Sequence, residues 1–380
     1  MKNKVAILTS GHPPKDERIF WKFGISLSKD NYSVKIICST LEINSEQNGI
    51  SLIGFNGNNI TKLEKITNFT QLLKAFDPEI IICCEAFTII PSNLYKLQSK
   101  SKCKIIYDVT EWYPEGIVYK LKGIKKLIGY FILYVANAIL SNLTNVIIIG
   151  EVTKKNRYDF ITPLKKKVLI GYYPVKEFFE YSPPARYKNS LTLCYAGLIN
   201  FKRGVNKLLK IAETIKERHN DLTITVKLVG RFESHEEEII FDNLSSGIKK
   251  IKIKKAGWTD YNRISELISD ADICFDLRER NFVYNNSLPI KIFEYMACGK
   301  PFIFSDIMPI RKELGEINCG FLVNPDDNED IVNKIETYLS NEILLQEHSK
   351  NGRKIIESGK NWETESAKLL SLIEELIGNK

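Results

Sequence analysis

The sequence is first narrowed by what it lacks. Its eight cysteines include no C-x-x-C pair and sit mostly in apolar runs such as IICST and DICFD. That excludes a disulfide framework and leaves buried, reduced thiols of a cytoplasmic protein as the expectation. The opening MKNKVAILTS has too short an apolar run after its basic start for a signal-peptide core, and reads as a first β-strand. There is no low-complexity tract and no internal repeat at a period of about 20 to 50 residues, which excludes solenoids and arrays. No clear Asp-x-Asp motif stands in a plausible metal-binding loop. Only one run, LIGYFILYVANAILSNLTNVIIIG from 127 to 150, is long enough to span a membrane. Asn137, Ser141, Asn142, Thr144 and Asn145 interrupt it, so a buried helix followed by the buried strand NVIIIG is expected instead.

What is present is globular: 380 residues, 44% apolar and 26% charged, enough chain for two domains of ordinary size and no disordered tail. The net charge of +8, from 54 basic and 46 acidic residues, is locally concentrated. IKKIKIKKAG alternates Ile with Lys as a sheet edge does. YKLKGIKKLIGYFILY sets Lys120, Lys122, Lys125 and Lys126 beside Tyr119, Tyr130 and Phe131, which suits peripheral contact with an anionic membrane surface as well as it suits a solvated face. Nucleic acid is not expected, because Arg and aromatics are not interleaved as a base-stacking surface requires.

Short apolar runs alternate with amphipathic segments: KVAILTS, SVKIICST, EIIICCEA, KIIYDVTE, NVIIIG and KVLIGYY, then LTLCYAG, TITVKLVG, IKIKKAG, ADICFDL, KPFIFSD and CGFLVN. This βαβα rhythm predicts α/β architecture with parallel sheets covered on both faces. PVKEFFEYSPPARYKNS, with three prolines, interrupts it like a linker. The chain therefore reads as two doubly wound halves, 1–173 and 188–361, with ligands expected at the carboxyl ends of their strands.

Chemistry concentrates in NNSLPIKIFEYMACGKPFIFSD, from Asn285 to Asp306. Ser287 or Asn286 is a plausible N-cap, and Pro289 is tolerated in a first turn whose N–H groups have no helical partner. Those groups and the positive end of the helix dipole would favour an anion. Lys291 and Glu294, three apart, share a face: the cation can join a phosphate, and the carboxylate can accept two hydrogen bonds from a sugar diol. A plain i,i+3 ion pair on a surface helix is the alternative.

These residues resemble glycosyltransferase family 4, retaining sugar-nucleotide enzymes with the GT-B fold, in which two Rossmann-like domains face a central cleft. The family's P-x-K-x-x-E-[YA]-M-A-x-G-x-P-[VF]-I is matched by Pro289, Lys291, Glu294, Tyr295, Met296, Ala297, Gly299, Pro301 and Ile303. CYAGLINFKRGVNKLLKIAETI is similar to its G-R-L-x-x-x-K-G segment, implying that Gly197 and Arg203 meet the donor diphosphate. Leu198 stands where an Arg is usual, so Lys202 or Arg231 would supply the missing charge. GWTDYNRISELISDADICFDL resembles the stretch gripping the nucleobase, with Trp258, Thr259 and Tyr261 in the loop. The resemblance also implies that Ser287, Leu288 and Asn286 line the donor site, Asn286 replacing a usual glutamate and keeping its hydrogen bonding but not its charge. In the first half, Gly11, His12, Asp16 and Arg18 match an H-x-x-x-D-x-R cleft loop. IIYDVTEWYPEG resembles Y-D-x-H-E, with Asp108 and Glu111 in place and Thr110 where His is usual. The closing NWETESAKLLSLIEEL resembles the helix, 362–380, that returns to the first domain.

The resemblance implies a metal-independent, cofactor-free transfer of a hexose-type unit from a nucleoside diphosphate sugar to a hydroxyl of a glycan or lipid-linked acceptor. It further implies a cytoplasmic enzyme of cell-surface polysaccharide synthesis, reaching the inner face of the membrane. Two alternatives stand beside it: a nucleotide-sugar epimerase of the same fold, and a non-catalytic sugar-nucleotide-binding subunit consistent with Leu198, Thr110 and Asn286.

Overall fold

All twelve apolar runs form strands in the computed structural model, which describes residues 2–119, 121–185, 189–248 and 250–378. Lys120 of the lysine cluster lies outside the described residues. The chain divides into two compact units, Met1–Tyr172 with Trp362–Lys380, and Tyr173–Asn361.

The first unit contains β1 (Lys4–Thr9), β2 (Ser33–Cys38), β3 (Ile43–Gln47), β4 (Ile50–Gly54), β5 (Ile80–Cys83), β6 (Lys104–Val109), β7 (Val146–Ile149) and β8 (Lys166–Leu169). They form one sheet in the order β3-β4-β2-β1-β5-β6-β7-β8, parallel except for the β3–β4 pair. That pair was not anticipated from the sequence. Its signal was Asn48-Gly49, whose positive φ angles of 53° and 73° suit the tight turn of a hairpin. The strand order reverses between β1 and β5, so the loops after these two strands meet at a crevice. The C-terminal helix Trp362–Gly378 belongs to this unit: Trp362 stacks on Phe23 at 5.7 Å and donates to Ser26 Oγ at 2.8 Å.

The second unit contains β9 (Ser190–Ala196), β10 (Thr223–Val229), β11 (Ile251–Gly257), β12 (Ile273–Asp276), β13 (Phe302–Ser305) and β14 (Gly320–Val323). The order β11-β10-β9-β12-β13-β14, all parallel, is the doubly wound dinucleotide-type arrangement, reversing between β9 and β12. The alternating Ile and Lys of β11 fall at the sheet edge, with Ile251 buried and Lys252 and Lys254 exposed. All eight cysteines are buried free thiols, and burial pushes those of Cys298 and Cys319 up to about 12.

Two expectations fail. The presumed linker is partly core: Val175 and Phe179 are buried, and Phe179 meets Tyr261 at 5.5 Å between ring centroids. The long apolar helix, Gly123–Asn142, is not buried, and within it only Asn137 and Ser141 are fully inside.

Candidate functional site

The carboxyl ends of β9 and β12 bring a cluster of charges together in the second unit. Asp276 closes β12 with no solvent exposure, and Arg278, two residues on, donates from Nε to both of its oxygens at 3.0 Å. Lys291, in the first turn of the helix Lys291–Ala297, reaches back to the same carboxylate, Nζ standing 3.4 Å from Oδ2. The ammonium also lies 3.8 Å from the centroid of the Tyr195 ring, but has no hydrogen-bond partner among the described residues. Burial drives the Lys291 pKa down to about 7; Asp276 opposes this while Arg203 and Arg278 add to it. Arg203 closes the group from the β9 side, with its Nε buried and unpartnered among the described residues. Asp276 is held below its ordinary range against its burial, by Arg278, Lys291 and Arg203.

Two buried cations, Lys291 and Arg278, and the half-buried Arg203 around one buried carboxylate leave excess positive charge with unspent donors, which suits an anion of charge two or more. The backbone is shaped to admit one. Gly197, at φ +123°, leaves the approach to Lys291 open; a Cβ there would stand 3.2 Å from Nζ. Gly204, at φ +81°, passes so close to Leu277 that a Cβ would sit 2.3 Å from its carbonyl oxygen. Tyr295 of the EYMACG motif fixes the end of β9, its hydroxyl accepting from the Ala196 N–H at 2.7 Å. A pocket of about 300 Å³ lies alongside, lined by Arg278, Asn286, Ser305 and Met308 among others.

Several anticipated residues take other places. The helix is not capped by Ser287 or Asn286: its N-cap is Ile290, without a side-chain bond, and Asn286 ends the preceding helix Phe282–Asn286. Asn286 donates to the Phe282 carbonyl at 2.8 Å, while Ser287 is extended and Leu288 and Pro289 are buried. The first N–H groups of the short helix are engaged too, Ile292 to Pro289 O at 3.1 Å and Phe293 to Ile290 O at 3.0 Å. The anion-binding capacity therefore rests on the side-chain cations rather than on a free helix end. Glu294 is buried one turn further along. Lys202 is exposed, and the cation that joins Arg203 and Lys291 is Arg278, which sequence reasoning missed. Arg231 instead lies over the indole of Trp258 at 5.0 Å, and Trp258 is 61% exposed, a flat ring open to a second stacking partner. Thr259 is half-buried beside it. Tyr261 is not in that surface: it is buried against Phe178 and Phe179.

Asp270-x-Asp272 lies at the opposite, amino end of β12 and is structurally engaged. Asp270 pairs with Lys227 at 2.6 Å, and Asp272 accepts from the Thr192 N–H at 2.7 Å.

The first unit has a second polar cluster at its own crevice. Glu85, just after β5, accepts from Thr9 Oγ1 at 2.7 Å, Ser10 N at 2.8 Å and Gly11 N at 3.1 Å, clasping the loop after β1. His12 stands 3.5 Å from Asp16 and 3.7 Å from Glu85. Burial works against the imidazolium, but Asp16 and then Glu85 and Glu111 outweigh it and raise the His12 pKa to about 9. Arg18 is not part of this loop surface. It is buried, bonded to Asp108 at 2.6 and 2.8 Å and to the Ile170 carbonyl at 3.1 Å. Thr110 hydrogen-bonds the Cys84 carbonyl at 3.2 Å, and its own carbonyl accepts from Lys154 at 2.6 Å; Glu111 is exposed.

Residues 179–355 match the family described as glycosyl transferases group 1. Among solved structures, the sucrose-phosphate synthase of Thermosynechococcus elongatus is 15% identical with a TM-score of 0.78, all of both chains being covered. A glycosyltransferase of Rickettsia africae is 14% identical with a TM-score of 0.69, again over both whole chains. Anabaena HepE, solved with UDP and glucose, is 13% identical with a TM-score of 0.70, covering 98% of this chain and 100% of its own. The second unit thus carries the match to glycosyl transferases group 1, and the chain is a glycosyltransferase of the GT-B fold.

Proposed function

We propose that this glycosyltransferase moves a hexose-type unit, with retention of configuration, from a nucleoside diphosphate sugar to a hydroxyl of a glycan or lipid-linked acceptor. One observation carries the reading: the buried Lys291 ammonium, ion-paired to Asp276 but without a hydrogen bond among the described residues, between Arg203 and Arg278 at the β9–β12 crevice. A diphosphate is the ligand whose charge and oxygens use all three cations. Trp258 and Arg231 offer the base a stacking surface, and Glu294 holds the ribose. HepE, solved with UDP-glucose, makes a uridine nucleotide the first donor to try.

As the glycosidic bond breaks, negative charge grows on the diphosphate, and the cluster stabilises it without forming a covalent bond to sugar. The departing phosphate oxygen takes the acceptor proton. Catalysis is then positional and electrostatic. Because protein cations neutralise the leaving group, transfer should proceed without a divalent ion and persist in excess chelator; an absolute requirement for manganese or magnesium contradicts this. The reading places the enzyme in the cytoplasm, in cell-surface polysaccharide synthesis.

The test is a panel of nucleoside diphosphates screened by thermal shift, since a ligand of the native state raises apparent stability with the logarithm of its concentration over affinity. Product analysis with the matching nucleotide sugar follows. A transferred α-linked sugar from an α-linked donor supports retention. An isomerised donor, or binding without turnover across acceptors, overturns the reading.

A further inference from the structure

The helix Gly123–Asn142 is built inside out. Its inner face is polar: Asn137 donates to Tyr158 OH at 3.2 Å, Ser141 to Asn137 Oδ1 at 3.4 Å, and Asn142 to the Ile161 carbonyl at 2.8 Å. Tyr134, Ala138 and Leu140 pack beside these against the core of the first unit. Its outer face is apolar. Ile124, Leu127, Ile128, Phe131, Val135 and Ile139 recur at i, i+3, i+4, i+7, i+11 and i+15, one stripe along a helix. Ile124 is 66% exposed, Leu127 65%, Phe131 68% and Ile139 58%. A soluble surface does not ordinarily carry a stripe of this length.

We propose that this face is an in-plane docking surface for an anionic lipid bilayer. The helix is long and apolar enough to cross a membrane by length and composition. The hydrogen bonds of its inner face nevertheless fasten it along the protein, so it presents one side to lipid and lies in the interface. Charge selects the occupant. The helix contains no acidic residue and begins at the exposed Lys122, Lys125 and Lys126. Glu115 in the preceding turn is already bonded to Arg157 at 2.7 Å. A second copy laid on this face would meet the same acid-free, lysine-ended stripe. Lipid phosphates supply the missing negative charge, and acyl chains the apolar contact.

The test uses the full chain and vesicles, with no nucleotide sugar, so its outcome is independent of the donor assignment. The protein should sediment with vesicles of phosphatidylglycerol and phosphatidylcholine in equal parts, and on the order of a hundredfold more weakly with phosphatidylcholine alone. The latter follows from about fivefold per lysine near an anionic surface. Replacing Lys122, Lys125 and Lys126 by Ser should erase that preference. Leu127→Ser with Phe131→Ser should reduce binding to both by on the order of a hundredfold. Unchanged thermal unfolding would show that these outward side chains are not structural. Equal binding to neutral and anionic vesicles overturns the proposal. So does a lipid-free dimer, split by Phe131→Ser, that leaves vesicles unbound.

Discussion

Lys291 Nζ stands 3.4 Å from Asp276 Oδ2, both side chains buried, and the pair is outnumbered by two further cations, Arg203 and Arg278. The lysine is therefore held in a site that disfavours its own charge, which a bound anion would reverse.

In the free protein Lys291 titrates near 7. A diphosphate favours the ammonium form and raises that value, so nucleotide affinity is full below about 7 and falls as pH rises through it, approaching roughly tenfold per pH unit. Lys291→Met should abolish this slope in UDP dissociation constants measured across the range. Between about 7 and 10.5 the unfolded chain binds the proton that the native chain lacks, so this group makes stability climb with pH there. Relieved of a buried charge, the nucleotide-free Lys291→Met protein should be more stable by about 1 kcal/mol in denaturant titrations. A wild-type affinity flat across this range contradicts the assignment.

Arg203 and Glu294 act at different moments. Contact of Arg203 with the diphosphate strengthens as the bond breaks, so Arg203→Ala should lower kcat by roughly 10²- to 10³-fold, about 2.7–4 kcal/mol. The ribose gains no charge, so Glu294→Gln should chiefly raise the donor KM. Steady-state kinetics on folded protein separates the two. If kcat survives Arg203→Ala, the diphosphate role passes to Lys291 and Arg278.

Trp258 and Tyr261, three apart in one loop, should give opposite signatures. Trp258→Ala removes an exposed ring and should weaken nucleotide binding by about 1–3 kcal/mol, with little change in melting temperature. Tyr261→Ala empties a packed site and should cost about 3–5 kcal/mol of stability. Calorimetry on both variants checks the pair; a destabilised Trp258→Ala would return the indole to the core.

Asp108 is a structural carboxylate. Asp108→Asn leaves Arg18 buried without its counter-charge, and should destabilise the protein by about 3–5 kcal/mol in chemical denaturation. Nucleotide affinity of the folded variant should be unchanged.

The strands were legible because a parallel sheet buried on both faces demands short continuous apolar runs, and KVAILTS or ADICFDL can be little else. Spacing showed that Lys291 and Glu294 share one helix, and the family resemblance singled out Lys291, which the structure brings to Asp276. Asp276, Arg278 and Glu85 were not, because strand crossovers bring them to partners distant in sequence. Asp276 and Lys291 are joined through a β12–helix–β13 connection, and Glu85 meets Gly11 only because β1 lies beside β5. The N-cap failed because the chain turns through a second short helix at Phe282–Asn286 before the motif begins. Tyr261 was misjudged because its partners, Phe178 and Phe179, lie in a proline-bearing stretch read as a linker. For Gly123–Asn142, hydropathy measures how apolar a segment is and not which side faces out. The available signal was Asn137 and Ser141, four apart, marking the inner face.

Trp362 donates to Ser26, and Glu365 accepts from the Gly171 N–H at 2.7 Å, so the last helix completes the unit that the first residues begin. During synthesis the chain emerges from its amino end, and units ordinarily fold in that order. Here the second unit, from Tyr173 to Asn361, is contiguous and has all its residues first. The earlier-made unit must wait with Leu369, Leu372 and Ile373 still to come, side chains that are almost wholly buried once folded. The half of the enzyme translated first is thus the half finished last.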